Sequence, residues 1–371
     1  MRTSRMRFIT LNIFLILTAL LQVGCWDTAI IEEKGFILSA GIDAIEDDPE
    51  MYIFTMTAPV FVELATKRVE VLSTRAHSPL EAFVFFNKVG GRLYFADLFQ
   101  VLLINEDVAI RGSLLTKFDF VYRDPKVSSL AYLLVSQGTA KEILDTDFQD
   151  KNRIAIYLTN LIEEGAVGGL VHPVNLQSFR QAAMDSVHGR DPIVPMVRKL
   201  ENSIHIDGAA LFRGDTMVGK INENEYTHFL ILSGKGFPTV FYHRGEATYG
   251  LRPQSIRNSI TPRIMDGNIV FDIKVNLAVN VDQSFGNTAS DLSNQKHKEN
   301  LEAEVAEFLK GEFLKTTKKL QEFNSDPLGL GKRFRAKYYR VFSEIDWREY
   351  YPHAEINIDV KVKFISHGII K

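Results

Sequence analysis

The sequence predicts a protein of two to three domains in the mixed α/β or α+β class, each with a mixed or antiparallel sheet covered by helices. In the first half of the chain, apolar strand-like segments alternate with helical ones, which is typical of this class. In the last third, two segments with a period of two flank a long amphipathic helix. The 371 residues are 46% hydrophobic and 24% charged, an ordinary globular composition.

The first 24 residues have the pattern of a secretory signal. Arg2, Arg5 and Arg7 precede an uncharged stretch of 14 residues, 8–21. As a helix this stretch would be about 21 Å long, shorter than the ~30 Å of a bilayer core, so we predict a signal peptide over residues 1–24 that is cleaved. Because the uncharged run extends to Trp26, an uncleaved signal anchor remains an alternative.

Cys25, the single cysteine of the chain, lies where this signal would be cut. Val23, Gly24 and Cys25 match the last three positions of a lipobox; Gln22 occupies the first position, where leucine is usual. We therefore predict that Cys25 becomes the lipidated mature N-terminus, carrying an S-diacylglycerol and an N-acyl group. These chains would anchor the protein stably, since each buried CH₂ contributes about 0.8 kcal/mol. The alternative is a small buried hydrophobic residue.

Residues 25–198 are predicted to form an N-terminal mixed α/β region. An acidic, proline-containing turn at 46–50 separates its first two strands. The predicted strands are 36–42, 52–58, 98–104 and 130–135, and the predicted helices are 79–87, 106–121, 138–144 and 152–163.

A linker is predicted at residues 189–195, where glycine and two prolines interrupt the pattern. It places the main boundary near residue 200 and a C-terminal region at 203–371, of which 203–255 is a possible separate small domain. This region opens with a predicted hairpin of residues 203–212 and 217–221.

The C-terminal core is predicted from two alternating strands, 269–281 and 356–364, each with one apolar and one polar face. Between them, residues 290–323 form a helix whose apolar stripe should pack on the sheet. The stripe consists of Leu301, Val305, Phe308, Leu309, Phe313 and Leu320.

The sequence contains no recognisable catalytic, cofactor-binding or metal-binding motif, and we predict a protein that is not an enzyme. The nine histidines lack metal-ligand spacing, and Cys25 provides no second thiol for a disulfide. Without the three arginines of the signal, 40 basic residues face 46 acidic ones, a net charge of −6. No basic stripe is present to attract nucleic acid.

Two short segments contain residue types that occur in ligand-binding sites. Residues 329–332, Gly-Leu-Gly-Lys, suggest a phosphate loop, but the glycine spacing is wrong and Arg333 occupies the place of a magnesium-binding Ser or Thr. We therefore predict a structural turn. Asp185, His188 and Asp191 are close in sequence beside the proline-containing segment, and we expect a solvated loop.

Several segments in order resemble the Ger(x)C spore-germination lipoproteins, the C subunits of nutrient germinant receptors. The resemblance spans residues 24–368. Its landmarks are Gly24-Cys25-Trp26-Asp27, residues 35–43, residues 91–95, the hairpin with Gly208 and Gly219, the turn at 324–331, and Trp347 with Tyr351-Pro352.

This resemblance implies three mixed α/β domains, no known enzymatic activity and lipid attachment to the outer face of the inner spore membrane. It also implies assembly with two integral-membrane subunits, A and B, of the germinant receptor. Two other classes stay open: a lipid-anchored solute-binding protein, with a hinge near Pro192, and a surface hydrolase, for which the sequence offers no acid–base pair.

Overall fold

The structure, a computed structural model, describes residues 34–60, 69–146, 153–285 and 294–367, together with Asn12 and Leu292. Apart from Asn12, the predicted signal peptide lies outside these residues, and so does Cys25.

Fourteen strands occur in the described part of the chain. They are β1 Lys34–Phe36, β2 Ser39–Ala44, β3 Tyr52–Pro59, β4 Val69–Ala76, β5 Leu93–Phe95, β6 Val101–Asn105, β7 Tyr132–Gln137, β8 Ile193–Leu200, β9 Ser203–Arg213, β10 Thr216–Ile221, β11 Val240–Arg244, β12 Ala247–Met265, β13 Asn268–Phe285 and β14 Glu355–His367.

Twelve α-helices accompany these strands among the described residues, with short 3₁₀ turns at Ser186–His188 and Tyr351–His353. They are α1 Pro79–Val89, α2 Glu106–Arg111, α3 Leu114–Lys117, α4 Asp119–Arg123, α5 Ala140–Leu144, α6 Ile154–Val167, α7 Leu176–Asp185, α8 Glu223–Ser233, α9 Gln295–Glu322, α10 Leu330–Lys337, α11 Tyr339–Glu344 and α12 Trp347–Tyr350.

An eight-stranded mixed sheet, in the order β10-β9-β8-β7-β6-β2-β3-β4, forms the larger layer. Its centre is parallel, since β6 pairs in parallel with both β2 and β7, whereas both ends are antiparallel. Every residue of β6 is buried, as expected of a central strand with helices on both faces. β1 and β5 form a separate two-stranded parallel sheet. The predicted fold class is confirmed.

The four-stranded sheet β11-β12-β13-β14 forms the C-terminal layer. β13 and β14 are parallel neighbours, with Phe271 opposite Ile356, so the two period-two segments share one sheet as predicted. The apolar residues at odd positions of 269–281 are all buried, and α9 packs onto this face through Leu301, Val305 and Phe313.

Phe308 departs from the predicted stripe of fully buried residues. It is only half-buried, and its ring packs 5.2 Å from that of Tyr242 at the margin of the core. The physical reason is its place on the helix: it lies beside Leu309, which takes the buried position on that turn.

The single helix predicted over 106–121 is wrong. The segment forms α2, α3 and α4. The break between α2 and α3 lies at Gly112 and Ser113, which both have positive φ values, +67° and +56°. α3 and α4 are separated at Phe118, which has φ −94° and ψ 7°. A residue with positive φ cannot continue a right-handed helix. The strand predicted from residue 98 begins only at Val101, and Leu98 is exposed.

The linker predicted at 189–195 is also wrong. Residues from Ile193 onward form β8, which lies between β7 and β9 and buries Val194, Met196 and Val197. The predicted hairpin, now β9 and β10, continues the same sheet. The domain limits 25–198 and 203–371 stay a prediction, but the backbone hydrogen bonds of the sheet run across them.

Candidate functional site

The lipidation predicted at Cys25 stays a prediction, because this residue lies outside the described part of the chain. The described fold begins nearby, at Lys34 in β1, which pairs with Leu93 in β5. Thus the two-stranded sheet marks where the chain from Cys25 joins the folded body.

The three polar residues predicted in a solvated loop have different environments. Asp185 is partly exposed; it accepts a hydrogen bond from Lys332 and lies 3.2 Å from the His188 ring nitrogen. Asp191, in contrast, has a side chain with no exposed surface. The solvated-loop prediction is wrong for Asp191, because this carboxylate is the centre of a buried ionic cluster.

The Asp191 carboxylate accepts five hydrogen bonds. Arg348 donates two of them, at 2.6 and 2.7 Å, in a bidentate ion pair. The Ser186 hydroxyl donates at 2.6 Å, and the backbone N–H groups of Gly214 and Asp326 donate at 3.1 and 2.8 Å. With all these donors in place, the charge of Asp191 is both paired and solvated by the protein.

Arg348 comes from α12, whose first turn is capped by Asp346. Beyond Asp191, the guanidinium donates to the carbonyl oxygen of Ser186 at 2.8 Å and also to the hydroxyl of that residue. Burial by itself lowers the pKa of Arg348, but the hydrogen bonds and charge of Asp191 outweigh it, so the pKa is raised. The guanidinium thus remains a fixed cation.

Asp326 is the second buried carboxylate of the cluster. Its side chain accepts hydrogen bonds from the N–H groups of Leu330 at 2.9 Å and Gly331 at 2.8 Å, at the start of α10. Burial raises the pKa of Asp326 to about 7; these N–H donors oppose the rise, and the negative charge of Asp191 adds to it.

The Gly-Leu-Gly turn at 329–331 is structural, as predicted. Gly329 has φ +67°, and the amide groups that a phosphate would need at Leu330 and Gly331 are already bound to Asp326. Gly331 also touches Gly189: a Cβ on Gly189 would lie 2.4 Å from the Gly331 Cα. Two backbone segments that are distant in sequence therefore lie in direct contact.

This arrangement joins parts of the chain rather than presenting reactive groups to solvent. Ser186 and Asp191 precede β8, whereas Asp326 and Arg348 follow α9, so the cluster connects the eight-stranded sheet to the C-terminal layer. Sequence reasoning missed Arg348 because its partner is 157 residues away, and no local pattern indicates such a pair.

An apolar cavity of about 80 Å³ lies inside the N-terminal part, between α1, the strands β2 and β3, and the loop after α4. Phe54, Phe86, Phe99 and Phe118 contribute to its wall, and Thr55 is among the few polar residues there. The volume is small beside the roughly 300–1,000 Å³ of drug-sized ligand sites.

The described residues contain neither a metal-ligand cluster nor a helix that could span a membrane. Within them, no group of three or more His, Cys, Asp or Glu side chains is placed to hold a metal ion. None of the helices in this part of the chain has the length and apolar character needed to cross a bilayer.

Comparison with known families gives two matches that together span most of the chain. Residues 27–199 match the family model "Spore germination protein N-terminal domain", and residues 207–368 match "Spore germination B3/ GerAC like, C-terminal". The first model ends one residue before the end of β8, and the second begins within β9.

Curated relatives are similar over nearly their whole length. The spore germination protein GerQC of Bacillus cereus is 24% identical, over 96% of this chain and 98% of that protein. The putative spore germination protein YfkR of Bacillus subtilis (strain 168) is 23% identical, over 96% of each chain. Spore germination protein B3 of the same organism is 21% identical, over 94% of this chain and 95% of the relative.

The fold also has a counterpart among solved structures. The crystal structure of the GerBC protein superposes with a TM-score of 0.60 at 18% identity, covering 88% of this chain and 96% of that one. Family models from residue 27 to residue 368, full-length relatives and a shared fold agree, and so the chain belongs to the Ger(x)C family of spore germination proteins.

Proposed function

We propose that this protein is a non-catalytic, lipid-anchored subunit of a nutrient germinant receptor. It would be attached through Cys25 to the outer face of the inner spore membrane and work there with the integral-membrane A and B subunits. The observation that carries the proposal is the match to spore germination proteins over almost the entire chain. The signal-like N-terminus with its single cysteine supports the anchor.

The physical role of such a subunit follows from confinement. A lipid anchor holds the folded body within a thin layer at the membrane, which raises its effective concentration near the other subunits. Weak individual contacts then suffice for assembly. The buried Asp191–Arg348 pair would keep the two layers of the body in a fixed relation during such contacts.

The anchor is tested by fatty-acid labelling of the full precursor in its own cells. Cys25→Ala should abolish incorporation of labelled fatty acid and either release the protein from membranes or leave it unprocessed. Gln22→Leu is the matched control: it completes the lipobox, so labelling should persist or increase. Unchanged labelling of the Cys25→Ala protein would exclude this anchor.

The receptor role is tested by germination. Spores without the protein should respond more slowly to one class of nutrient, while triggers that bypass nutrient sensing should act normally. A secreted form without the lipid should restore the response only in part, because confinement is lost. Normal germination of the deletion strain on every nutrient, with no second copy present, would refute the receptor role.

The solute-binding alternative loses the observation that favoured it. It needed a hinge near Pro192, but the Pro192 carbonyl accepts a hydrogen bond from Phe212 in β9, and Ile193 beside it is buried in the sheet. A binding screen of the purified protein against amino acids and sugars would revive that alternative if it gave a specific ligand.

A further inference from the structure

Helix α1 and strand β5 present an unusually apolar surface to solvent. Leu80, Val84, Phe85 and Val89 of α1 and Leu93 of β5 are all exposed, Leu93 by 64% of its surface. We call this set the α1–β5 face. Ala82 and Phe86 of the same helix are buried in the core, so α1 carries apolar residues both inside and at the surface. A helix of this kind is expected where both sides meet an apolar environment.

The two elements of this face are held together by specific contacts. The Tyr94 backbone N–H donates to the Asn87 side chain at 2.8 Å, and the Tyr94 hydroxyl reaches the carbonyl of Gly90. The exposed side chains of α1 and β5 are therefore carried by two elements that are fixed relative to each other.

The position of this face relative to the N-terminus is decisive. Leu93 pairs directly with Lys34, the first residue of β1. Only eight residues, 26–33, separate Lys34 from Cys25, and fully extended they reach about 30 Å. A folded chain of this size has a radius of gyration of about 20 Å, and hence a diameter well above 30 Å. With Cys25 at the bilayer, Lys34 must lie within about 30 Å of the membrane, which favours the side of the body that carries Lys34 and Leu93 as the side that faces it.

The charges beside the face suit a bilayer that contains anionic lipids. Lys88 lies on α1 between the exposed apolar residues, and Lys34 lies over the Phe95 ring, 5.0 Å from its centre. Of the acidic residues nearby, Glu70 forms an ion pair with Arg92 at 2.7 Å. Glu81 is exposed on α1 and contacts the His77 ring at 3.2 Å. Apolar side chains flanked by lysines are typical of surfaces that insert at the level of lipid headgroups.

We propose that the α1–β5 face lies in the interfacial layer of the membrane and fixes the orientation of the lipid-anchored body. The occupant of this face is the lipid surface itself. The proposal rests on the proposed anchor at Cys25, and it adds a second contact that one tether alone would not provide.

The test uses the full, lipidated protein in vesicles of phosphatidylethanolamine and phosphatidylglycerol without other proteins. Leu93→Cys and Val89→Cys introduce single thiols for a fluorophore that is sensitive to polarity. The matched controls are Val167→Cys and Val187→Cys, which are apolar positions on other parts of the body and are still more exposed than Leu93 and Val89. Each labelled protein is measured in two vesicle preparations, one of which contains lipids with a quencher near the headgroup end of the acyl chain.

Labels at Leu93 and Val89 should shift to the blue and lose most of their emission in quencher vesicles, while labels at Val167 and Val187 should do neither. Unquenched labels at all four positions would overturn the proposal. Equal quenching at all four would also overturn it, because the body would then have no preferred orientation. If the label at position 93 shifted to the blue only after receptor subunits were added to the vesicles, the α1–β5 face would be assigned to a protein partner instead.

Failure of the anchor would be visible separately. In the parent protein, lipidated Cys25 is a thioether and cannot react with the fluorophore. Labelling of the parent would show that Cys25 is free, and the proposed anchor would then be wrong whatever the orientation data show. An unlabelled parent combined with an unquenched α1–β5 face would reject only the orientation.

Discussion

Replacing Arg348 by methionine should destabilise the protein strongly. The substitution keeps most of the aliphatic stem but removes both hydrogen bonds to Asp191, at 2.6 and 2.7 Å, and those to Ser186. Asp191 would keep three donors but would become an unpaired negative charge without exposed surface. Breaking a buried ion pair in this way costs about 3–5 kcal/mol.

The measurement is urea unfolding of the purified Cys25→Ala protein, with and without Arg348→Met. A loss of at least about 3 kcal/mol is expected, equivalent to a fall in melting temperature of about 4 °C or more for a chain of this length. Asp191→Asn combined with Arg348→Met should be less damaging than the sum of the two single changes, since no buried charge is left behind.

Arg252→Met provides the matched control. Arg252 forms an ion pair with Asp282 at the same 2.6 Å separation, but both side chains are substantially exposed. Its loss should change stability by about 0.5 kcal/mol or less, because water replaces the partner. If Arg348→Met cost no more than Arg252→Met, the assignment of the cluster as the connection between the two layers would be wrong.

Three further outcomes are expected, each from unfolding measurements. Phe313→Ala should lower the free energy of unfolding by about 3–5 kcal/mol and Phe308→Ala by clearly less, since only Phe313 is fully buried. Equal losses for the two variants would contradict the packing of α9 on the sheet. Burial raises the pKa of Asp326 to about 7, so the protonated carboxyl contributes fully to the free energy of unfolding below about pH 4, where the unfolded carboxyl is also protonated, and this contribution is lost as the pH rises towards 7. Asp326→Asn should reduce the change in the free energy of unfolding over this pH range. An unchanged slope of that free energy against pH would contradict the raised pKa. Gly189→Ala should lower the free energy of unfolding far more than Gly267→Ala. Both residues have positive φ, but only at Gly189 would the added Cβ collide with backbone atoms, those of Gly331. Similar losses for the two variants would contradict the contact between Gly189 and Gly331.

Local periodicity explains what could be predicted from the sequence. The alternation at residues 269–281 and the stripe on α9 are each set by neighbouring residues, and both are buried as expected except at Phe308. The prediction failed where distant residues decide. A proline-containing segment at 189–195 has the composition of a linker, but Arg348 and Asp326 turn Asp191 into a buried ion-pair partner. Likewise, only the backbone angles at Gly112 and Ser113 show that the predicted helix over 106–121 is broken after α2.

The continuity of the eight-stranded sheet through residue 200 has a consequence for dissecting the family. A fragment that stops at residue 199 would lose β9, which pairs with β8 from Ile193 to Leu200. The exposed edge of β8 would then have unpaired backbone N–H and C=O groups flanked by apolar side chains, and such an edge promotes association between molecules. A fragment that instead ends after Ile221 keeps β9 and β10 and leaves the sheet closed by its natural last strand. In this protein the two matched regions therefore contribute strands to a single hydrogen-bonded sheet.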